Sequence, residues 1–242
     1  MLRSIKALHS YSIEATDGNL GAVYAFYFDD LRWTIRYLVV DTGAWLPGRR
    51  VLISPTVIGQ PQWEMRLLPV NLTQEQIKHS PDMDTDQPVS RQHQLALHDY
   101  YAWPIYWTAA PVDPGTLAML PELVEEYAAE SGDPHLRSTL EVIDYNIEAK
   151  DGDLGHVTDF IVDDEDWTIR YMVVDTRNWL PGKRVLVAPE WITEINWGEA
   201  KVHVDLTQDA IKHSPEYDPN ETVNRVYEER LYDFYGRLKY WN

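Results

Sequence analysis

Short runs rich in apolar, β-branched and aromatic residues, broken by turn residues, fill the first seventy positions, and a helical pattern follows. Tyr11–Ala15 and Val23–Phe28 read as strands, with a turn from Asp17-Gly18 or Gly18-Asn19 between them. Trp33–Asp41 follows, rich in β-branched and aromatic residues, with Trp33, Ile35, Tyr37 and Val39 on one face and Thr34, Arg36, Leu38 and Val40 on the other. Both faces are apolar towards Asp41, so one is expected inside a barrel and part of the other under a helix. Trp45-Leu46-Pro47-Gly48-Arg49-Arg50 is a loop with a Pro-Gly turn at its centre. Val51–Ser54 and Met65–Asn71 complete the predicted strands. Thr73 is a good helix N-cap, with Gln76 three residues on as in a capping box. Lys78 and His79 suit the negative helix end, and Pro81 stops the turn. An aromatic helical tail, Leu97–Tyr101, is closed by Tyr106-Trp107.

The pattern then repeats. Asp17-Gly18-Asn19-Leu20-Gly21 returns as Asp151-Gly152-Asp153-Leu154-Gly155, Trp33–Tyr37 as Trp167–Tyr171, and Lys78–Pro81 as Lys212–Pro215, each 134 residues later (152 − 18, 167 − 33, 212 − 78). The cap is kept as Thr207, with Ala210 in place of Gln76, and the tail as Leu231–Tyr235 closed by Tyr240-Trp241. A period this long means tandem domains, since solenoid and propeller units are about 20–50 residues. The expected organisation is repeat 1 over 1–107, a linker with a short helix at Pro121–Glu130 over 108–135, and repeat 2 over 136–242. A fold dominated by β structure with helical extensions follows, its two halves expected face to face about a pseudo-two-fold axis as an intramolecular pseudo-dimer.

Composition narrows the function classes. The 242 residues are 44% hydrophobic and carry a formal net charge of −18, so the chain can bury real cores and repels phosphate backbones. Nucleic acid is therefore not an expected partner, and an anionic membrane surface is disfavoured by the same field. There are no cysteines, which excludes disulfides and thiolate chemistry. No apolar stretch approaches the ~20 residues of a membrane span, and the start lacks a signal-peptide core, so a cytoplasmic location is the expectation.

The best-repeated residues carry a family likeness. Leu20-Gly21-x-Val23, Ile35-x-Tyr37-Leu38-Val39-Val40-Asp41 and Arg50-Val51-Leu52-Ile53-x-Pro55, with their counterparts at Leu154–Val157, Ile169–Asp175 and Arg184–Pro189, resemble the PRC-barrel pattern. The likeness covers about half the chain, Leu2–Trp63 and Leu136–Trp197. It implies two small, partly open antiparallel β-barrels used mainly for contacting other proteins and does not imply an enzyme; no cofactor is expected. The family includes the cytoplasmic domain of the photosynthetic reaction-centre H subunit, but that protein's membrane helix has no counterpart here.

Candidate chemistry is sparse. Asp82-Met83-Asp84-Thr85-Asp86 imitates half an EF-hand loop, but Gln87 stands where the turn wants Gly and His93 where a bidentate Glu belongs. Asp163-Asp164-Glu165-Asp166 is read as a solvated hairpin tip in which the first two residues, like Asp29-Asp30, shape the turn. His79 and His213 alone repeat among the histidines and are weak ion or switch candidates. Trp45 and Trp179, each in a Leu-Pro-Gly loop leading to Arg50 or Arg184, combine the residue types of interaction hot spots. Together with Tyr106, Trp107, Tyr240 and Trp241 they are the candidate protein-contact residues, although burial against the protein itself is the favoured explanation for each. No catalytic, cofactor or metal set is recognised. The expected function is a protein-contacting adaptor or scaffold, with a small-ligand or divalent-cation sensor as the alternative. A role like that of the reaction-centre H subunit is a more distant one.

Overall fold

The structure, a computed structural model, describes residues 1–81, 89–107, 133–176 and 182–241. Asp82–Asp86, the Pro121–Glu130 helix and Trp179 lie outside the described residues. The elements run β1 (Leu2–Ser4), α1 (Ile5–Leu8), β2 (Ser12–Ala15), β3 (Gly18–Asp29), β4 (Thr34–Asp41), β5 (Arg50–Ile53), β6 (Leu67–Pro69), α2 (Gln74–Lys78) and α3 (Arg91–Tyr101). The second half gives β7 (Leu136–Ser138), α4 (Thr139–Val142), β8 (Asn146–Ala149), β9 (Gly152–Asp163), β10 (Ile169–Asp175), β11 (Arg184–Val187), β12 (Ile192–Asn196), β13 (Lys201–Val204), α5 (Gln208–His213) and α6 (Arg225–Tyr235). The chain is mainly β with helical extensions. No helix among the described residues is long and apolar enough to cross a membrane.

Two compact units emerge. One contains Met1–Leu8, Arg32–Ile35 and Ser138–Asn242, the other His9–Leu31 and Arg36–Arg137. The first holds a seven-stranded sheet ordered β11-β10-β9-β8-β13-β12, with β1 on β9. The second is built on a six-stranded sheet ordered β5-β4-β3-β2-β6, with β7 on β3. Both run as open paths among the described strands. Neither is wholly antiparallel, because β2 pairs with β6, and β8 with β13, in parallel.

The first hairpin turns one residue before Asp17-Gly18 and two before Gly18-Asn19. Ala15 pairs with Gly18, which leaves Thr16-Asp17 as the turn and starts β3 at Gly18, well before Val23. Gly21 shows why glycine is needed within that strand. Its φ is +131°, and a Cβ there would lie 1.9 Å from the Asp41 carbonyl; at Gly155 the values are +122° and 2.0 Å to Asp175. Along β4, Leu38, Val39 and Val40 are all buried, in keeping with a strand apolar on both faces. Ile13, Phe26, Leu38 and Ile53 anchor one core, and Ile147, Phe160, Met172 and Val187 the other. The predicted capping box of α2 is present, with the Thr73 side chain accepting from the Gln76 N–H and Gln76 Oε1 accepting from the Thr73 N–H. Thr207 caps α5 through the Ala210 N–H alone.

Candidate functional site

The two retained loops end in a structural clasp. Arg49 reaches the end of α2 and donates to the carbonyls of Lys78 (2.8 Å) and Ser80 (2.6 Å). Lys183, its counterpart, donates from Nζ to the carbonyls of Ile211 (3.0 Å), Lys212 (2.7 Å) and Ser214 (2.8 Å) at the end of α5. A cation on the last carbonyls of a helix satisfies orphan acceptors and complements the dipole. This contact links the Leu-Pro-Gly loop to the Lys-His-Ser-Pro helix end, two motifs that repeat together in the sequence. The clasp uses the first basic residue after the turn, whereas Arg50 and Arg184 are engaged elsewhere. Arg50 places its guanidinium 3.8 Å above the Tyr24 ring, and Arg184 Nε lies 3.8 Å from Asp175 Oδ2. Trp45 is half-buried.

His79 and His213 sit at those same helix ends. Their Nδ1 atoms lie 3.0 Å from the Glu75 carbonyl and 2.9 Å from the Asp209 carbonyl, and both rings are exposed. No group of three or more His, Asp or Glu side chains placed to hold a metal occurs among the described residues.

The aromatic tails close over their own helices through a polar network. In the first half, Tyr106 donates its hydroxyl proton to Gln94 Oε1 (2.6 Å), and Tyr37 OH lies 2.7 Å from His98 Nε2. Gln94 Nε2 donates to Asp133 Oδ2 (2.8 Å), which Arg91 also meets at 2.9 Å. In the second half Tyr171 and Tyr240 both donate to Glu228 Oε1 at 2.8 Å, and Arg225 lies 3.1 Å from Glu228 Oε2. One carboxylate in α6 thus replaces a glutamine plus the aspartate that reaches it. Gln94, Asp133 and Glu228 are all buried, so each needs these partners. Each Tyr-Trp pair lies under two guanidinium groups. Arg36 and Arg170 stand 4.2 and 4.3 Å from the centroids of Tyr106 and Tyr240, and Arg91 and Arg225 stand 4.5 and 4.0 Å from Trp107 and Trp241. Burial pushes the hydroxyls of Tyr37, Tyr106 and Tyr171 upward and that of Tyr240 up to about 12, so all four are hydrogen-bond donors at neutral pH. Burial lowers His98 to about 4 and leaves it neutral.

Asp29-Asp30 and Asp163-Asp164 do more than shape turns. Asp29 Oδ1 accepts from the Leu31 N–H (2.9 Å), as a turn residue should. The second aspartate binds a distant arginine instead: Arg3 Nε is 2.6 Å from Asp164 Oδ2, and Arg137 Nε is 3.6 Å from Asp30 Oδ2. The solvated-tip reading therefore holds for Glu165 and Asp166 but not for Asp164, whose side chain is largely buried. The repeated Leu-Arg-Ser at 2–4 and 136–138 is the sequence signal that points to these pairs.

Two surface features remain. An open cleft of about 660 Å³ in the unit built on the second half is lined by Asp175, Gly182, Arg184, Glu216, Tyr217 and Asp218, among others. The Tyr217 N–H donates to the Arg184 carbonyl (2.8 Å) at its wall. Large apolar side chains are also exposed along and just beyond α6: Val226 in its first turn, Phe234 in its last and Leu238 past the Gly236 cap are 75%, 43% and 93% exposed. The corresponding residues in the first half are Gln92, Tyr100 and Pro104, and the Tyr100 hydroxyl donates to the Gln76 carbonyl (2.8 Å). Comparing the halves for differences, rather than identities, is what finds these residues. No protein-family model matches the chain, and no curated protein matches it as a relative.

Proposed function

We propose that this chain is a non-enzymatic adaptor of the PRC-barrel type, each of its open sheets being the partly open barrel of that family, and that it contacts another protein in the cytoplasm. The observation that carries the reading is the exposure of Val226, Phe234 and Leu238 on one unit, where the other half carries Gln, Tyr and Pro. Exposed apolar side chains interspersed with charged ones such as Arg230 on the same helix have the mixed character of a protein-contact surface. The formal charge of −18 favours a partner with a basic rim, because opposite potentials steer association. Capture with wild-type protein and with a Val226→Asp/Phe234→Asp/Leu238→Asp variant tests this. A reproducible partner lost by the variant supports the adaptor; no partner, or one retained equally by both, counts against it.

A second reading, a small-ligand binder, is favoured by the cleft at Asp175, Glu216 and Asp218. Its acidic lining suits small cationic molecules. Thermal-shift measurements with divalent ions and short diamines test it, and no stabilisation at millimolar levels would remove it.

A further inference from the structure

The start of each half fills a slot on the sheet built by the other half. β1 runs antiparallel to the end of β9, with Leu2 opposite Asp163, Arg3 opposite Val162 and Ser4 opposite Ile161. It takes the edge of β9 that β8 uses further back, where Asn146 faces His156. β7 pairs with β3 in the same role. Both entering strands read Leu-Arg-Ser. Leu2 and Leu136 are buried, and the Asp164 and Asp30 N–H groups donate to the carbonyls of Met1 and His135, both at 2.9 Å. The arginines meet Asp164 and Asp30, and Ser4 Oγ donates to Asp159 Oδ2, while Asp159 Oδ1 accepts from the Lys6 N–H (2.9 Å). One backbone register, one apolar anchor and one charge pair therefore define the same recognition element twice.

We propose that each slot is a binding site for a Leu-Arg-Ser strand, and that the partner it fits is a second copy of this chain, whose segment Leu2–Leu8 enters the β9 slot in trans. Edge pairing supplies backbone hydrogen bonds to any extended strand, and Asp164 selects for arginine at the central position. A tethered segment competes at an effective concentration on the order of millimolar, so the chain fills its own slots when dilute and exchanges when refolded at concentrations approaching that value. Mutual repulsion of chains at −18 opposes exchange, and added salt relieves it. The inference is independent of the adaptor reading, because its test contains no other protein.

A charge swap on the full chain provides the test. Arg3→Glu and Asp164→Arg each place like charges at the slot in cis, whereas a mixture of the two chains restores both pairs in trans. Co-refolding equimolar variants should give at least about tenfold more dimer, by native mass spectrometry, than either alone. The double variant Arg3→Glu/Asp164→Arg should return to monomer when dilute. Isotope-labelled and unlabelled wild-type chains, co-refolded at about 1 mM, should form mixed dimers whose share falls on dilution before refolding, which keeps the test valid if the single variants fail to fold. Monomer in the variant mixture and in wild type at every refolding concentration would overturn the proposal.

Discussion

His98 makes the first half of the chain sensitive to acid in a way the second half, with Tyr232 at the same place, is not. The ring is 3% exposed, lies 2.7 Å from Tyr37 OH through Nε2 and 3.2 Å from the Trp103 carbonyl through Nδ1, and has the guanidinium groups of Arg91 and Arg36 nearby. Gln94, Tyr106 and Trp107 complete its surroundings. Burial is the largest cause of its fall from 6.5 to about 4, with the two arginines adding to it against the hydrogen bonds to backbone carbonyls. The folded value lies below the unfolded one, so the stabilisation is complete above pH 6.5 and is lost as pH falls towards 4. That difference corresponds to roughly 3 kcal/mol at the acid limit, of which about 2 kcal/mol is lost by pH 5. Urea unfolding of wild type and His98→Gln at pH 7.5 and pH 5.0 isolates this group, because the other titrations are common to both proteins. Wild type should lose about 2 kcal/mol more than the variant between the two pH values. Equal losses would refute the reasoning.

Three other outcomes follow from contacts at atomic distance. Gly21→Ala and Gly155→Ala, each driving a Cβ to 1.9–2.0 Å from a strand carbonyl, should cost about 3 kcal/mol or more by chemical denaturation. Arg49→Lys should stay within about 1 kcal/mol of wild type, since Lys183 serves the same clasp, whereas Arg49→Met should cost about 1–2 kcal/mol; equal effects would show that charge at the helix end is irrelevant. Glu228→Gln leaves Arg225 without its counter-charge and should lower stability by about 1–3 kcal/mol, measured by thermal unfolding.

Much of the local structure is legible in the sequence because it depends on neighbours. The Thr73 capping box, the doubly apolar β4 and the helix end at Pro81 all rest on residues within a few positions of one another. The second-half strands β12 and β13 have a weaker counterpart in the first half, where Ile58 and Gln62 make only isolated bridges to Val70 and Leu67. What the pattern does not reveal is long-range. A three-residue strand such as Leu2–Ser4 has no periodicity to detect, and its acceptor lies some 160 residues away. The Gln94–Asp133 pair is hidden for a similar reason, because an uncharged helix position recruits its carboxylate from just before the second repeat. The aromatic residues Tyr106, Trp107, Tyr240 and Trp241 are part-buried in their own networks, which shifts attention to α6 and the residues just after it, where Val226, Phe234 and Leu238 stand in place of Gln92, Tyr100 and Pro104.

The adaptor reading is tested most directly by a photo-crosslinking residue placed at position 226 in one protein and at position 92 in another. Both sites are exposed on the first turn of equivalent helices, so the comparison holds local geometry constant while changing only which half is probed. The account predicts a discrete cross-linked partner from position 226 and none from position 92. The same products from both positions, or none from either, would contradict it.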